Sequence, residues 1–540
     1  MTQNNNKLSG KLELNWVNKN KTLIVSDYEK IKYEWVNSND YRVSEVRLLK
    51  EIEKIGDNSS DSLIICGDSL NALTSLTKIP EYRKKYVNKV KLIYIDPPFN
   101  TGQMFTNYDD QLEHSVWLTM MRDRVLKAYE LLSDDGSLWV HLDDTELYHF
   151  KIVLDEIFGK ENFISSVIWE KMYLLKEDAK QFSQGHDTIL IYSKDKEKWK
   201  PNFLEKKLNL GDFKFQDEKG RHYKRVTLRK TGSNSARADR PNMFYPITAP
   251  NGEIVYPIRR SQDVEDEGCW RWGMLTYEER KNEIDWVKGK NGWQPFVRQY
   301  ADETEKKPPS SIWHYSEVGS SATAKKEIKK LFPEIEPFQT PKPERLLQRI
   351  IEIATNEGDI VLDYFAGSGT TAAVAQKLKR KWVIVEKNED TVNIFVVPRL
   401  KKVVSGEDKG GISEEVNWNG VGGFTYFSVE KFMFEVHSGI ICLAENVLNG
   451  KLAKLVATQL EYDYQPENEY FCGKKGDVLL AVVEGMLTDG LLNFLLNSKD
   501  ENNFLEIAAL AVDPELNDKN YNNVKIGRIP NNILRHYARV

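Results

Sequence analysis

The sequence predicts an α/β chain built on a doubly wound, mostly parallel sheet, with an insertion inside the sheet and a further α/β unit after it. Three observations carry this. Short apolar runs alternate with amphipathic helical patterns over about 61–195 and again from about 331, as buried parallel strands and their crossover helices do. A glycine-rich turn, Phe365-Ala366-Gly367-Ser368-Gly369, directly follows the strand-like Ile360-Val361-Leu362 and opens a helical pattern. That is how the ligand-binding edge of such a sheet is laid out. Between the two stretches, residues 196–330 are rich in Lys, Arg, Gly and Trp and lose the alternation.

Taken in order, residues 1–60 are polar and mixed, with 12–17 as a short strand candidate. Residues 63–66 read as a buried strand closed by Gly67-Asp68, and Ser69 can cap the helix that carries Leu70, Leu73 and Leu76. A strand at 91–95, a helix over about 114–132, a turn at 133–136, a strand at 137–142 and a helix to Phe158 follow. Residues 186–192 supply another strand. After the insertion the alternation resumes near Phe338, with a helix over 344–355, the strand at Ile360, a helix near 371–378 and a strand at 382–385 ending on Glu386. From about 431, apolar stretches at 439–448 and 479–496 mark a last unit with no chemical motif. The expected divisions are 1–60, 61–195, 196–330, 331–430 and 431–540.

Composition narrows the function classes. At 540 residues the chain has room for several structural units and large cores. No run approaches the roughly 18 apolar residues of a membrane span, and the polar start Met1-Thr2-Gln3-Asn4 lacks a signal peptide's apolar stretch. Cys66, Cys269, Cys442 and Cys472 are scattered without paired spacing. That argues against a disulfide framework or zinc cluster and fits a reducing cytoplasm. The eight histidines show no ligand spacing, so no metal is expected. The net charge of −5 does not exclude nucleic acid, because phosphate contact needs a local basic surface rather than a basic protein. Residues 219–240 provide one: eight Lys or Arg against the single acid Asp239. By itself such a run reads as a solvated loop; its place inside a ligand-binding sheet changes that reading.

Two motifs carry the chemistry. In the glycine turn, Gly367 and Gly369 let backbone N–H groups and a helix amino end approach a ligand, and Ser368 is small for the same reason. Glu386, ending the next strand, stands where an acid accepts hydrogen bonds from ribose hydroxyls. No lysine follows the turn, so it is not a phosphate-gripping Walker motif; dinucleotide sites share the same logic and stay open at this point. The other motif is Asp96-Pro97-Pro98-Phe99, after the strand at 91–95. Two prolines at the carboxyl end of a buried strand stop pairing and hold the backbone rigid, which packing alone does not require.

Asp96-Pro97-Pro98-Phe99-Asn100-Thr101-Gly102 resembles the catalytic motif of DNA amino-methyltransferases, and Asp363-Tyr364-Phe365-Ala366-Gly367-Ser368-Gly369-Thr370-Thr371 resembles their S-adenosylmethionine (SAM) loop. The catalytic motif comes first, the order of the β-class enzymes, which include the modification subunits of type III restriction systems. Ile65-Cys66-Gly67-Asp68, Phe338-Gln339-Thr340-Pro341-Lys342-Pro343 and Pro398-Arg399-Leu400 extend the resemblance over about 60–195 and 330–430.

The resemblance implies a SAM-dependent, Rossmann-like methyltransferase sheet interrupted by a target-recognition domain at 196–330. Asp96 and the Pro97 carbonyl would accept the two N–H bonds of adenine's N6 amine, a poor nucleophile until so held. Phe99 would stack on a base taken out of the helix; it stands where Tyr is usual, which keeps the stack and removes the hydroxyl. Cofactor contacts would come from Phe365, Ala366, Gly367, Ser368, Gly369, Thr370 and Glu386, with Asp68, Lys342 and Asp363 in supporting roles. Arg221, Lys224, Arg225, Arg229, Lys230, Arg237 and Arg240 would meet DNA, while Tyr223, Phe244 and Tyr245 read equally as core or as stacking residues. The expected partners are double-stranded DNA, a second copy of the chain and a separate ATP-dependent restriction subunit, since no Walker motif is present. Alternatives with the same residues are a solitary methyltransferase, an N4-cytosine enzyme and a non-catalytic recognition scaffold.

Overall fold

The computed structural model describes residues 12–27, 32–57, 61–101, 112–173, 181–205, 210–261, 264–301, 306–447, 450–516 and 523–537. Two compact units emerge: one comprises 1–202 with 310–540, the other Phe203–Pro309.

The first unit is organised by a ten-stranded sheet. In chain order its strands are β1 Leu49–Gly56, β2 Leu63–Cys66, β3 Val90–Ile95, β4 Leu132–Leu142, β5 Phe163–Glu170, β6 His186–Ser193, β7 Ile312–Trp313, β8 Ile360–Asp363, β9 Lys381–Glu386 and β10 Gly423–Val429. In space they run β7-β5-β6-β4-β3-β8-β9-β2-β10-β1. Every neighbouring pair from β4 to β10 is parallel; β6 is antiparallel to both its neighbours, and β1 to β10. Strands β8 and β9, which follow the insertion, slot between β3 and β2, which precede it. The two halves of the chain therefore interleave in one sheet.

Helices cover the sheet, so its central strands are apolar on both faces. All four residues of β2 are buried. Helices α1 Ser69–Lys78, α2 His114–Leu131 and α3 Leu147–Phe158 enclose a core that includes Leu73, Leu76, Trp117, Val125, Val140, Phe150 and Leu154. Trp117 meets Phe150 edge to face at 5.3 Å. Helices α4 Glu344–Ala354 and α5 Thr370–Lys377 complete the layer around β8 and β9.

Four local expectations are corrected. Residues 12–17 form no strand; Leu14 N donates to Glu156 Oε1 at 2.9 Å and Trp16 Nε1 to Thr119 Oγ1 at 2.8 Å, so this arm lies on α2 and α3. The helix after β2 is capped by Asp68, which accepts from Leu70 N at 2.9 Å; Ser69 is already helical. The turn at 133–136 is a bulge inside β4: Val90 pairs with Leu132 and Leu92 with Ser137, leaving the residues between to loop out. Finally, 1–60 is not separate from the sheet, because β1 is its edge strand.

The inserted unit is narrower than 196–330. Residues 310–331 stay with the sheet: β7 pairs with β5, Trp313 is buried beside Trp139, and Trp169 Nε1 donates to the Gly319 carbonyl at 3.0 Å. Within Phe203–Pro309 a four-stranded antiparallel sheet forms from Phe215–Gln216, His222–Thr227, Gly292–Tyr300 and Ile284–Gly289. Its core holds Leu228, Tyr245, Ile247, Trp270, Tyr277 and Ile284.

The region after 431 builds a five-stranded mixed sheet around Val478–Leu487 and Phe504–Val512. It packs on its own chain: Val46, Leu48 and Ile79 share a core with Phe434, Val456 and Ile533, and the Gln459 side chain bonds both the N–H and the carbonyl of Val46. Among the described residues no helix is long and apolar enough to cross a membrane.

Candidate active site

Because β4, β3, β8, β9 and β2 are consecutive and parallel, their carboxyl ends share one edge. Asp96 follows β3, Asp363 ends β8, Glu386 ends β9, and Asp68 lies two residues beyond β2. The register fixes the order, with Leu362 opposite Ile93, Asp363 opposite Ile384, and Glu386 opposite Cys66. Motifs far apart in sequence thus meet at the edge where such sheets bind ligands.

Asp96 is held from one side only. Lys342 Nζ, from the segment leading into α4, hydrogen-bonds its Oδ2 as an ion pair. Its Oδ1 is buried with no hydrogen-bond partner among the described residues. A buried, unpartnered carboxylate oxygen is costly unless a ligand donor meets it. Trp117 Nε1, from α2, donates to the Pro98 carbonyl at 2.7 Å and anchors the proline turn from behind. The Phe99 ring lies parallel to His141, with centroids 6.0 Å apart and 17° between planes, and Lys342 Nζ stands 5.5 Å from its centroid. Lys342, expected in the cofactor pocket, is therefore placed against the catalytic motif.

The glycine turn is shaped by backbone geometry. Gly367 and Gly369 have φ of +51° and +75°, a region that side-chain-bearing residues avoid. Gly367 N donates to Glu386 Oε2 at 2.8 Å, and Asn388 N to Oε1 at 2.9 Å. A third backbone N–H, that of Lys387, also bonds this carboxylate. Burial raises the Glu386 carboxyl above its ordinary range despite these bonds. Asp363 holds the turn: it accepts from Phe365 N at 2.9 Å and from Thr371 Oγ1 at 2.5 Å. With the residue only 2% exposed, burial pushes its carboxyl up to about 7, and the two hydrogen bonds offset only part of that rise.

Three expected cofactor residues face inward. Ser368 and Thr370 are buried, and Arg399 Nη1 donates to the Ser368 carbonyl at 3.3 Å and to Thr370 Oγ1 at 2.8 Å. They hold the turn to α5 and offer the edge no side chain. Asp68 caps α1 and pairs with Arg124 Nη2 at 2.7 Å; burial would raise its carboxyl, but the Arg124 and Lys387 charges hold it below the usual range. Phe365 stays partly exposed beside Tyr364, centroids 5.2 Å apart, while Ala366 is buried.

Sequence reasoning missed a polar chain behind Phe99. Fully buried His141 meets Tyr94 Oη through Nδ1 and Asp187 Oδ2 through Nε2, both at 3.1 Å. Lys171 Nζ bonds Asp187 Oδ1 at 2.6 Å. Burial would raise the Asp187 carboxyl, but His141, Lys171 and Lys342 bring it down to about 2. The signal was present: a histidine and an aspartate inside otherwise apolar strands. Three further residues, His114, Glu146 and His149, come together with metal-donor geometry, which their sequence spacing did not suggest.

In the inserted unit several basic residues are tied locally. Arg225 and Arg298 both bond Asp285 at 2.7 Å, as does Tyr223 Oη. Arg221 pairs with Asp217 and lies over the Tyr300 ring. Lys224 stands over Phe213, and Arg237 pairs with Glu267 over Phe244. Arg240 is exposed; Arg229 and Lys230 are half-buried. Tyr223 and Tyr245 are core residues, whereas Phe244, half-buried, stacks on Tyr256 at 5.3 Å.

Comparison with known proteins agrees with this edge. The HindVI Mod subunit of a type III restriction-modification enzyme from Haemophilus influenzae is 31% identical over 430 residues, covering 71% of this chain and 56% of that protein. The type II methyltransferase M.KpnI of Klebsiella pneumoniae is 29% identical over 389 residues, 65% of this chain and 86% of the relative. The EcoPI Mod subunit of Escherichia phage P1 is 28% identical over 394 residues, 62% of this chain and 58% of the relative. The chain thus spans little more than half the length of the Mod subunits it matches. A family model described as DNA methylase matches residues 90–397, from β3 through the glycine turn and Glu386. With both motifs assembled on one sheet edge inside that match, the chain belongs to the DNA methylase family.

Proposed function

We propose that this chain is a site-specific DNA adenine methyltransferase that moves a methyl group from SAM to the N6 amine of adenine, as the modification subunit of a type III restriction-modification system. The observation that carries the proposal is Asp96: one carboxylate oxygen fixed by Lys342, the other buried and without a hydrogen-bond partner among the described residues, beside the strand that ends in the glycine turn.

The edge fits SAM. Positive-φ glycines allow close backbone approach, and the Glu386 carboxylate at the end of the next strand suits ribose hydroxyls. When bound there, SAM would supply the methyl as an electrophile whose sulfur leaves as a neutral thioether. Asp96 Oδ1 accepts one amine hydrogen and the Pro97 carbonyl the other, so the nitrogen lone pair is freed from the ring to attack the methyl carbon in line. Asp96 would take the proton that the amine sheds as its new N–C bond forms and pass it to solvent. Phe99, backed by His141, stacks on the extruded base. No covalent enzyme intermediate is required.

The unit Phe203–Pro309 is assigned sequence recognition, with exposed Arg240 and the Arg237 region among its basic contacts. Assembly as a homodimer with a separate ATP-dependent restriction subunit is part of the same proposal, supported by the likeness to Mod subunits. Mapping modified bases in DNA from cells expressing this chain alone tests the activity. N6-methyladenine at one recurring sequence is expected; N4-methylcytosine, or no modification, would overturn the assignment.

A further inference from the structure

Beyond the edge that carries Asp96 and the glycine turn, one cluster has the donor set of a metal centre. His114 opens α2, Glu146 immediately precedes α3, and His149 lies in the first turn of α3. One donor atom from each falls within 4.8 Å of the others. His114 Nδ1 is 2.6 Å from Glu146 Oε1, and His149 Nδ1 is 3.2 Å from Glu146 Oε2. The imidazole rings stand 5.8 Å apart at 72°, so neither blocks the other.

Three features set this cluster apart from an ordinary surface pair. The Glu146 side chain is 0% exposed, whereas His114 and His149 are 63% and 51% exposed. A buried carboxylate needs a compensating charge, yet besides the two rings its side-chain partner among the described residues is the neutral amide of Asn100, whose Nδ2 donates to Oε1 at 2.8 Å. Histidines provide that charge only when protonated, while a divalent cation provides it with both rings neutral and both Nδ1 lone pairs engaged. The spacing also suits an ion. Bonds of about 2.0–2.1 Å in a tetrahedral zinc complex place ligand atoms roughly 3.3 Å apart; the two imidazole–carboxylate distances of 2.6 and 3.2 Å fall near that value, and all three donors lie within 4.8 Å of one another. The exposed rings leave a path for entry and a coordination position for water.

We propose that His114, Glu146 and His149 bind one first-row divalent cation of the Zn²⁺ type, through two imidazole nitrogens and one carboxylate. Nitrogen donors select this class over Mg²⁺ and Ca²⁺, which favour all-oxygen sites. None of the three residues is assigned a part in methyl transfer, although Glu146 bonds Asn100 next to Phe99, so binding is read from the metal itself and not from an assay of that reaction.

The test uses the full chain without an affinity tag, titrated with Co²⁺ and followed by its visible d–d absorption, with Zn²⁺ as competitor. The wild-type chain should take up one equivalent of Co²⁺ with a low-coordinate spectrum that Zn²⁺ abolishes. H114A and H149A should each weaken binding roughly tenfold or more, and the double variant should lose the spectrum. Both rings are largely exposed, so these variants should fold, and the metal-free unfolding temperature of each separates any cost of leaving Glu146 with fewer partners from the loss of metal binding. Wild-type uptake no greater than that of the double variant would overturn the proposal. So would an unchanged spectrum in both single variants, whatever their stability.

Discussion

Asp363→Asn isolates the part played by the buried carboxyl under the glycine turn. Its pKa is carried from an ordinary 3.8 to about 7 in the fold. Protonated, it is accommodated; ionised, it is a buried charge with two hydrogen bonds and, among the described residues, no paired cation. The folded state therefore binds a proton that the unfolded state has lost between about pH 4 and pH 7. The stability present below pH 4 falls across that window and is constant above it. A rise of this size is worth about 4 kcal/mol. Asparagine does not titrate, but it gives up one acceptor and buries an amide, at about 1–3 kcal/mol. Near pH 4.5, where about 1 kcal/mol of that stability has already been lost, the wild type should be the more stable by at most about 2 kcal/mol, and by pH 8 the order should reverse by about 1–3 kcal/mol. Urea unfolding of both proteins from pH 4.5 to 8 measures the difference, in which all distant titrations cancel. A difference that stays flat with pH would refute the reasoning, since it would mean Asp363 is ionised in the fold at little cost.

Three further outcomes are expected. Gly367→Val and Glu386→Ala should each weaken SAM binding by calorimetry, the first because φ of +51° strains a β-branched residue and the second because the ribose loses its acceptors; unchanged affinity in both would misplace the site. Phe99→Ala should cost about 1–3 kcal/mol of transition-state stabilisation, read as kcat/KM for methyl transfer, while Phe99→Tyr should be mild; full activity in both would leave the ring a packing role against His141. Replacing Phe203–Pro309 by the matching segment of a related enzyme should move the methylated sequence to the donor's, and an unmoved sequence would take recognition away from this unit.

The sheet edge was legible because its determinants are local. A short apolar run ending in Asp-Pro-Pro, or in a glycine turn, declares a strand and its carboxyl end within a few residues. The partners of that edge were not legible, because they are chosen by topology. Lys342 and Asp96 lie 246 residues apart and meet only because β8 and β9 fold back between β3 and β2. Ser368 and Thr370 read as ligand contacts from their place in the turn, but buried Arg399 claims them. The basic stretch at 219–240 looked like free charge, whereas the fold spends Arg221 on Asp217, Arg225 on Asp285 and Arg237 on Glu267. The arm at 12–17 has strand composition but finds side-chain partners on α2 and α3 in place of a neighbouring strand. Residues 310–331 resemble the insertion in sequence, yet Trp313 needs the burial that Trp139 and β5 provide.

The most direct measurement pairs two readouts on Asp96→Ala: transfer of a labelled methyl group from SAM to DNA, and the dissociation constant for SAM. In the proposed mechanism Asp96 faces the target amine and makes no contact to the donor. Transfer should therefore be abolished in the variant while SAM affinity stays within a few-fold of wild type, and Asp96→Asn should recover little. Methyl transfer by Asp96→Ala at close to the wild-type rate would contradict the placement of the reaction at this carboxylate.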